Sequence, residues 1–348
     1  MARRRVKHDE RRVKHDDPVT QYARDVLEGR ITAGRLVRLA CERHLQDLET
    51  GWQRGLVWDP AAAQHVVDFY SFLRHSKGEW AGQVFKLQPW QQFRLGSVFG
   101  WKKEDGTRRF RVSYNEVARK NGKTTEAAGL ALYMLDADNE PGSEVYTAAT
   151  KRDQAMITWS EAARMVKRSK ALSRRIQVYW GKGNMSIEET ASKFECLGAD
   201  EDTLDGLNVH CAIIDELHAH KTRAIWDVLE TSTASRRQPL LWVTTTAGFD
   251  QSGICYELHN YSVEVLEGRI KDDSWFAYIA TLDEGDDWQD EKVWIKANPN
   301  LGVSVKLDDL RRLALKAKVT PTAVANFLTK CMNVWTQQTS RWLSLIHI

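Results

Sequence analysis

The residues best suited to chemistry in this sequence are a glycine, a lysine and a threonine in a row, Gly122-Lys123-Thr124, and a later pair of adjacent carboxylates, Asp215-Glu216. The first group sits in Arg119-Lys120-Asn121-Gly122-Lys123-Thr124-Thr125, after a strand-like run (Phe110, Val112, Tyr114, Val117) and before an Ala/Leu-rich, helix-like stretch at 124–136. Backbone N–H groups at a helix start point outward and the helix dipole favours an anion, so this setting predicts a phosphate-binding loop built from Arg119, Lys120, Asn121, Gly122, Lys123, Thr124 and Thr125. Lys123 is expected to reach the β- and γ-phosphates of ATP, and the Thr124 hydroxyl to ligate Mg²⁺. Arg119 is expected to act catalytically, stabilising charge that develops on the transferring phosphoryl group from within the same subunit. The glycine that usually stands five residues before Gly122 is Val117 here, and a short Gly-Lys-Thr also fits a basic surface turn.

The carboxylates close an apolar run, Val209-His210-Cys211-Ala212-Ile213-Ile214, which reads as a buried strand. At its carboxyl end Asp215 is expected to hold the metal and Glu216 to polarise the attacking water as general base. The plain alternative is a strand that stops at two solvated acids. A third run, Leu240-Leu241-Trp242-Val243, ends in Thr244, Thr245 and Thr246 followed by Ala247-Gly248. Three hydroxyls beside a nucleotide site could sense the γ-phosphate and couple its loss to a moving segment. Upstream, Pro89-Trp90-Gln91-Gln92 reads as a helix start with a core tryptophan, and the Gln91 amide could match the donor and acceptor of an adenine edge.

These groups need a scaffold that brings strand ends together. From about residue 84 onward, strand-like runs alternate with helix-like ones: 110–117, then 124–136, 144–149, 152–166, 193–197, 209–214 and 240–244. Alternation with fully apolar strands predicts an α/β fold, a P-loop NTPase core with a mostly parallel sheet flanked by helices. Residues 19–50 have helical spacing, split into two short helices near Gly29 and Gly34. After residue 270 the chain turns acidic and tryptophan-bearing, then helical at 307–317 and 323–335. The expected organisation is a flexible basic arm at 1–18, an N-terminal helical region at 19–83, the ATPase core at 84–265 and a helical linker or lid at 266–348.

Bulk properties set the bounds. The 348 residues carry a net charge of +3, with 42% hydrophobic and 28% charged residues, as in an ordinary globular protein. Positive charge gathers in residues 1–16, where seven Lys/Arg face three Asp/Glu, and a direct seven-residue repeat runs through this stretch, Arg-Arg-Val-Lys-His-Asp-Glu at 4–10 and Arg-Arg-Val-Lys-His-Asp-Asp at 11–17. Such an arm can contact DNA phosphates or remain a solvated terminus. The five cysteines form no Cys-x-x-Cys pair, which argues against a zinc site or disulfide scaffold and fits a reducing compartment. No apolar stretch is long enough to span a membrane and no signal-peptide core follows the basic start.

The sequence resembles the large terminase subunits of tailed phages from about residue 20 to 342. The resemblance rests on Pro-Trp-Gln at 89–91, the glycine-poor loop at 119–123 and Tyr-x-Ala-Ala at 146–149 with Gln154-Ala155. It continues through Leu-Asp-Gly-Leu-Asn at 204–208 before Asp215-Glu216, Thr-Thr-Ala-Gly at 245–248, Asn-Pro-Asn at 298–300 and Asn-x-Trp at 333–335. It implies a motor that forms a ring on the capsid portal protein, works with a small terminase subunit and moves double-stranded DNA into a procapsid. It also implies a location in the host cytoplasm and, transiently, at the procapsid portal. An arginine from a neighbouring subunit could complete the site; Arg152, Arg223, Arg236 and Arg237 are the candidates. The family continues into a nuclease domain, which is expected to be absent here: Leu343–Ile348 reads as a truncated end, so ATPase without DNA cleavage is expected. Two other readings remain: a DExH-type helicase, which needs a second α/β lobe, and an inert truncated fragment that acts only in docking.

Overall fold

The computed structural model describes residues 16–198 and 206–337. The arm at 1–15, residues 204–205 of the motif at 204–208, and the closing 343–348 lie outside the described residues. The chain begins with α1 (Pro18–Leu27) and α2 (Arg35–Thr50), separated by the turn that includes Gly29. Asp17 caps α1 by accepting from the Thr20 N–H at 2.9 Å, and Pro18 fits the first turn, where its missing N–H is not needed. Next come β1 (Leu56–Trp58), α3 (Pro60–Phe69) capped by Asp59, α4 (Pro89–Gly100) and β2 (Trp101–Lys103), which pairs antiparallel with β1.

The α/β part runs β3 (Val112–Val117), α5 (Lys123–Asp136), β4 (Glu144–Ala148), α6 (Arg152–Arg168), β5 (Gln177–Tyr179), β6 (Asn184–Ile187) and β7 (Ser192–Leu197). It continues with β8 (Cys211–Asp215), α7 (Ala224–Thr231), β9 (Leu240–Thr245), α8 (Ile254–Leu266) and β10 (Trp275–Ala280). The eight-stranded sheet has the order β10-β3-β9-β8-β4-β7-β6-β5. Pairings from β10 through to β7 are parallel, and β6 and β5 add an antiparallel extension. Every residue of β3, β8, β9 and β10 is buried, as expected of strands covered on both faces. The predicted α/β architecture with a mostly parallel sheet is therefore the observed one.

Two expectations about organisation differ from the structure. The sheet runs past 265, because β10 lies parallel beside β3 from Trp275↔Val112 to Ala280↔Val117. The N-terminal helices do not form a unit of their own: Val19, Val37, Val66 and Phe93 belong to the same apolar core as the sheet. The last helices among the described residues, α9 (Trp294–Ala297), α10 (Leu307–Val319) and α11 (Pro321–Cys331), gather around a separate cluster that includes Trp294, Leu310 and Phe327. Helix α5 is buried nearly all round, and Gly129 is small because a Cβ there would meet Tyr70 Cε1 at 2.5 Å.

Parallel strands put all their carboxyl ends on one edge of the sheet and all their amino ends on the other. The amino edge holds a buried ionic cluster. Arg108 donates to both oxygens of Asp138 at 2.9 and 3.1 Å and to the Gln238 carbonyl at 2.5 Å, while His210 Nε2 lies 2.8 Å from Asp138 Oδ2. Burial opposes the charge on Asp138, yet Arg108 and His210 outweigh it and hold the carboxyl down at about 2. Among the described residues no helix is long and apolar enough to cross a membrane.

Candidate active site

The carboxyl edge holds the residues singled out in sequence. β3 ends at Val117 and α5 begins at Lys123, and the turn between them passes through two left-handed residues, Lys120 (φ +70°) and Gly122 (φ +82°). Glycine carries no steric penalty in that conformation; lysine does, by about 1–2 kcal/mol. The surroundings hold the turn. Arg119 N–H donates to the Lys330 carbonyl at 3.0 Å, and the Lys120 carbonyl accepts from Ser304 at 2.6 Å. No side chain caps α5, so its first-turn N–H groups are oriented to serve an anion.

Lys123 is buried, and its ammonium faces the carbonyls of Val117 at 2.6 Å and Ala118 at 3.1 Å and the Thr246 hydroxyl at 2.9 Å. Burial lowers its pKa, against the pull of Glu216 and Asp215. Asp215, at the end of β8, is reached by Thr244 (2.7 Å), Thr158 (3.1 Å) and Thr124 (3.4 Å), and by the Glu216 N–H (3.0 Å). Its pKa is raised, first by burial and then by Glu216 next door. Glu216 takes a left-handed conformation (φ +52°) that turns its side chain away from the strand direction. Burial opposes its charge, but His218, Lys123 and Arg119 hold the carboxyl down at about 2. His218 Nδ1 stands 3.1 Å from Glu216 Oε2, although the two atoms are not aligned for a hydrogen bond. Adjacent carboxyls are thus driven in opposite directions.

The three threonines at the end of β9, Thr244 and Thr245 within it and Thr246 just after, each touch a different part of this group. Thr244 donates to Asp215, Thr245 accepts from the His218 N–H at 3.1 Å, and Thr246 bonds Lys123 while donating to the Val117 carbonyl at 3.1 Å. Beside the N-terminus of α5 opens a cavity of about 790 Å³ lined by Trp80, Gln88, Gln91, Gly122, Thr124 and Thr125 among others. Lys123, Asp215 and Glu216 lie outside that lining, toward the sheet.

The structure brings Gly122, Lys123, Thr124, Asp215, Glu216 and Thr244–246 together. Arg119 and Lys120 are exposed at the loop, and Arg119 acts on Glu216 and Lys123 through charge. Two side chains expected to contact nucleotide are engaged elsewhere. Asn121 is fully buried, bonding Asn298 Oδ1 at 3.1 Å and accepting from the Asn300 N–H at 3.0 Å, so it fastens the loop to the Asn-Pro-Asn segment. Gln91 borders the cavity, but its amide accepts from the Gln88 N–H and donates to Glu126, both at 2.9 Å. Of the arginines considered for a neighbouring site, Arg236 is tied to Asn208 O, Gly142 O and Glu140, whereas Arg152 and Arg223 are exposed. Sequence reasoning missed Thr158 and His218. Thr158 lies within α6 with no local signal, and His218 could have been noticed only from its place just after the acidic pair.

The donor set fits a nucleoside triphosphate with a divalent cation: uncapped helix N–H groups, a buried ammonium, and a hydroxyl and a carboxylate 3.4 Å apart. Comparison with known proteins agrees. Residues 89–264 match the family model for the terminase large subunit, ATPase domain, and residues 269–347 that for the terminase large subunit, endonuclease domain. The second match corrects the expectation that nothing of the nuclease domain is present, and with it the ground for expecting no DNA cleavage. The matched stretch begins with β10, which belongs to the ATPase sheet, so no separate strand–helix alternation announces it in the sequence.

The large terminase subunit of Enterobacteria phage HK97 is 23% identical over 77% of this chain and 52% of its own length. The crystal structure of the HK97 large terminase aligns with a TM-score of 0.68 over 78% of this chain and 55% of that one, which establishes the shared fold. Protein YmfN of Escherichia coli K12 is 42% identical over 41% of this chain and 31% of its own length. The chain therefore spans about half, or less, of the curated relatives it matches. With the ATPase-domain match covering half of its residues and the fold and site agreeing, the chain belongs to the terminase large subunit family.

Proposed function

We propose that this chain is the ATP-hydrolysing motor of a DNA-packaging terminase, driving double-stranded viral DNA into a procapsid from the host cytoplasm. Partners in that reading are the portal protein, a small terminase subunit and further copies of the chain in a ring. The observation that carries it is the grip of Thr244, Thr245 and Thr246 on three different parts of the site: Asp215, the turn after Glu216, and Lys123. A strand that holds the acid, the turn behind the water-directing residue and the phosphate-binding lysine together can register whether the terminal phosphate is attached.

The N–H groups that open α5 bind the phosphates and Lys123 neutralises them. Thr124 and Asp215 would hold Mg²⁺, which when bound supplies charge neutralisation to the phosphates. Glu216 accepts a hydrogen bond from water and orients it toward the terminal phosphate. Its lowered pKa keeps the carboxylate ionised and able to accept from that water as general base. Arg119, exposed beside Glu216 and Lys123, adds positive charge where the departing phosphoryl group gathers negative charge. The Gln91 amide, if freed from Gln88, could face the adenine edge.

The decisive experiment measures ATP hydrolysis by the purified chain with and without Mg²⁺ and double-stranded DNA. Magnesium-dependent turnover that DNA stimulates is expected. Failure to bind ATP at all would overturn the reading, and turnover indifferent to DNA would leave an ATPase without a translocase.

A further inference from the structure

The Asn-x-Trp segment that follows α11 takes no part in phosphate chemistry, yet it is built into the middle of the motor. Asn333 is buried in a left-handed conformation (φ +56°). Its Oδ1 accepts from the Ala247 N–H at 2.7 Å, and its Nδ2 donates to the Ala280 carbonyl at 2.8 Å and to Glu116 Oε1 at 3.3 Å. Trp335 donates its indole N–H to the Glu116 carboxylate at 3.3 Å and packs edge-on against Tyr256. A Cβ on Gly248 would lie 3.0 Å from the same indole. Glu116 is fully buried on β3 and also accepts from Tyr114 at 2.7 Å, with His259 Nδ1 at 2.9 Å. A carboxylate so surrounded fixes its donors in one geometry, because breaking any of these bonds leaves a buried charge short of a partner.

The bearing on the nucleotide site comes from counting protons. An ammonium has three, and Lys123 faces three acceptors: Val117 O, Ala118 O and Thr246 Oγ1. A phosphate oxygen can be engaged only by releasing at least one of them. Thr246 is one of the three, and the next residue, Ala247, is the one held by Asn333. Two consecutive residues are thus gripped from opposite sides, one by the phosphate-binding lysine and the other by the C-terminal segment.

We infer that Asn333 and Trp335 are positioning residues that read the nucleotide state through Lys123, Thr246 and Ala247. They pass it to the chain within the stretch that matches the endonuclease domain. The inference rests on the nucleotide-binding reading of the site. A change in the donors of Lys123 shifts Thr246, the shift is transmitted through one peptide unit, and the rigid Glu116 anchor converts it into a change at 333–335. Coupling of this kind requires a second arrangement, in which Lys123 has exchanged one of its three acceptors for a phosphate oxygen.

The test is hydrogen–deuterium exchange on the full chain with and without magnesium and the slowly hydrolysed analogue ATPγS. In the wild type, exchange should change at 119–125, at 245–249 and at 332–337 together, by about fivefold at the last, the scale of one hydrogen bond made or lost. In Asn333→Ala the response at 119–125 should persist while that at 332–337 disappears. Trp335→Phe, which keeps an aromatic side chain but loses the indole N–H with the pyrrole ring, should give an intermediate loss and serves if Asn333→Ala does not fold. A wild type that responds at 119–125 but not at 332–337 overturns the relay, as does an Asn333→Ala protein that keeps the full response. No response at 119–125 overturns the nucleotide reading itself, and the relay with it.

Discussion

One sheet carries a buried charge cluster at each edge, and the two are built to different ends. At the amino edge Asp138 lies between Arg108 and His210, and this central carboxylate is held firmly ionised by its neighbours. At the carboxyl edge two carboxylates are placed on consecutive residues beside a single buried ammonium, and their pKa values are driven apart, Asp215 up and Glu216 down. Like charges side by side in a buried site are costly, and the fold tolerates them where they can meet a cation and a phosphate. The amino edge is what a buried cluster looks like when it serves structure; the carboxyl edge shows the disposition of one that serves chemistry.

The sharpest way to test that contrast is to remove one charge from each edge. Glu216→Gln should lower ATP turnover by roughly 10²–10⁴-fold while leaving the melting temperature close to that of the wild type. A variant that hydrolysed ATP normally but melted far earlier would reverse the assignment. Arg108→Met should do the opposite. It strands Asp138 in the interior and costs about 3–5 kcal/mol in urea unfolding, with turnover per folded molecule unchanged.

Acid titration tests the amino edge on its own when Asp138 is the residue changed. The carboxyl of Asp138 lies at about 2 in the fold against 3.8 ordinarily, so its contribution is fully present above the ordinary value and is lost as pH falls through about 2. That contribution is on the order of 2 kcal/mol. Unfolding free energy followed from pH 5 downward should therefore fall more steeply in the wild type than in Asp138→Asn; parallel curves would show that the cluster is not what holds the carboxyl ionised. The smallest effect concerns Thr158, whose hydroxyl bonds Asp215 at 3.1 Å. Thr158→Val should slow turnover roughly fivefold, the scale of a single hydrogen bond. A loss as large as that of Glu216→Gln would mean that Thr158 touches the reacting groups themselves.

Much of the carboxyl edge was legible before any coordinates, because its chemistry is written in runs. Gly122-Lys123-Thr124, Asp215-Glu216 and Thr244–246 each follow a strand, and parallel strands deliver their ends to one place. The amino edge was not legible: Arg108, Asp138 and His210 stand in three unrelated segments, and only the lateral order of the strands unites them. β10 was missed for a related reason. Trp275-Phe276-Ala277-Tyr278-Ile279-Ala280 is a short apolar run that periodicity cannot assign to strand or helix, and its partner β3 lies far back in the chain. Asn121 misled in the other direction, since its place in the phosphate loop gives no sign that its amide turns inward to Asn298 and Asn300.

The lateral position of β10 also bears on how the protein can be dissected. A recombinant piece cut at the limits of the ATPase-domain match, 89–264, would discard β10 together with α1 and α2, whose Val19, Tyr22 and Val37 share its core. β3 would then become an outer strand, its row of backbone donors and acceptors bare where β10 had paired with it. Such an edge recruits other chains. Boundaries drawn from the β10 pairing and run on from Asp17 through Trp335 keep that edge covered by the protein's own strand and leave Glu116 its partners.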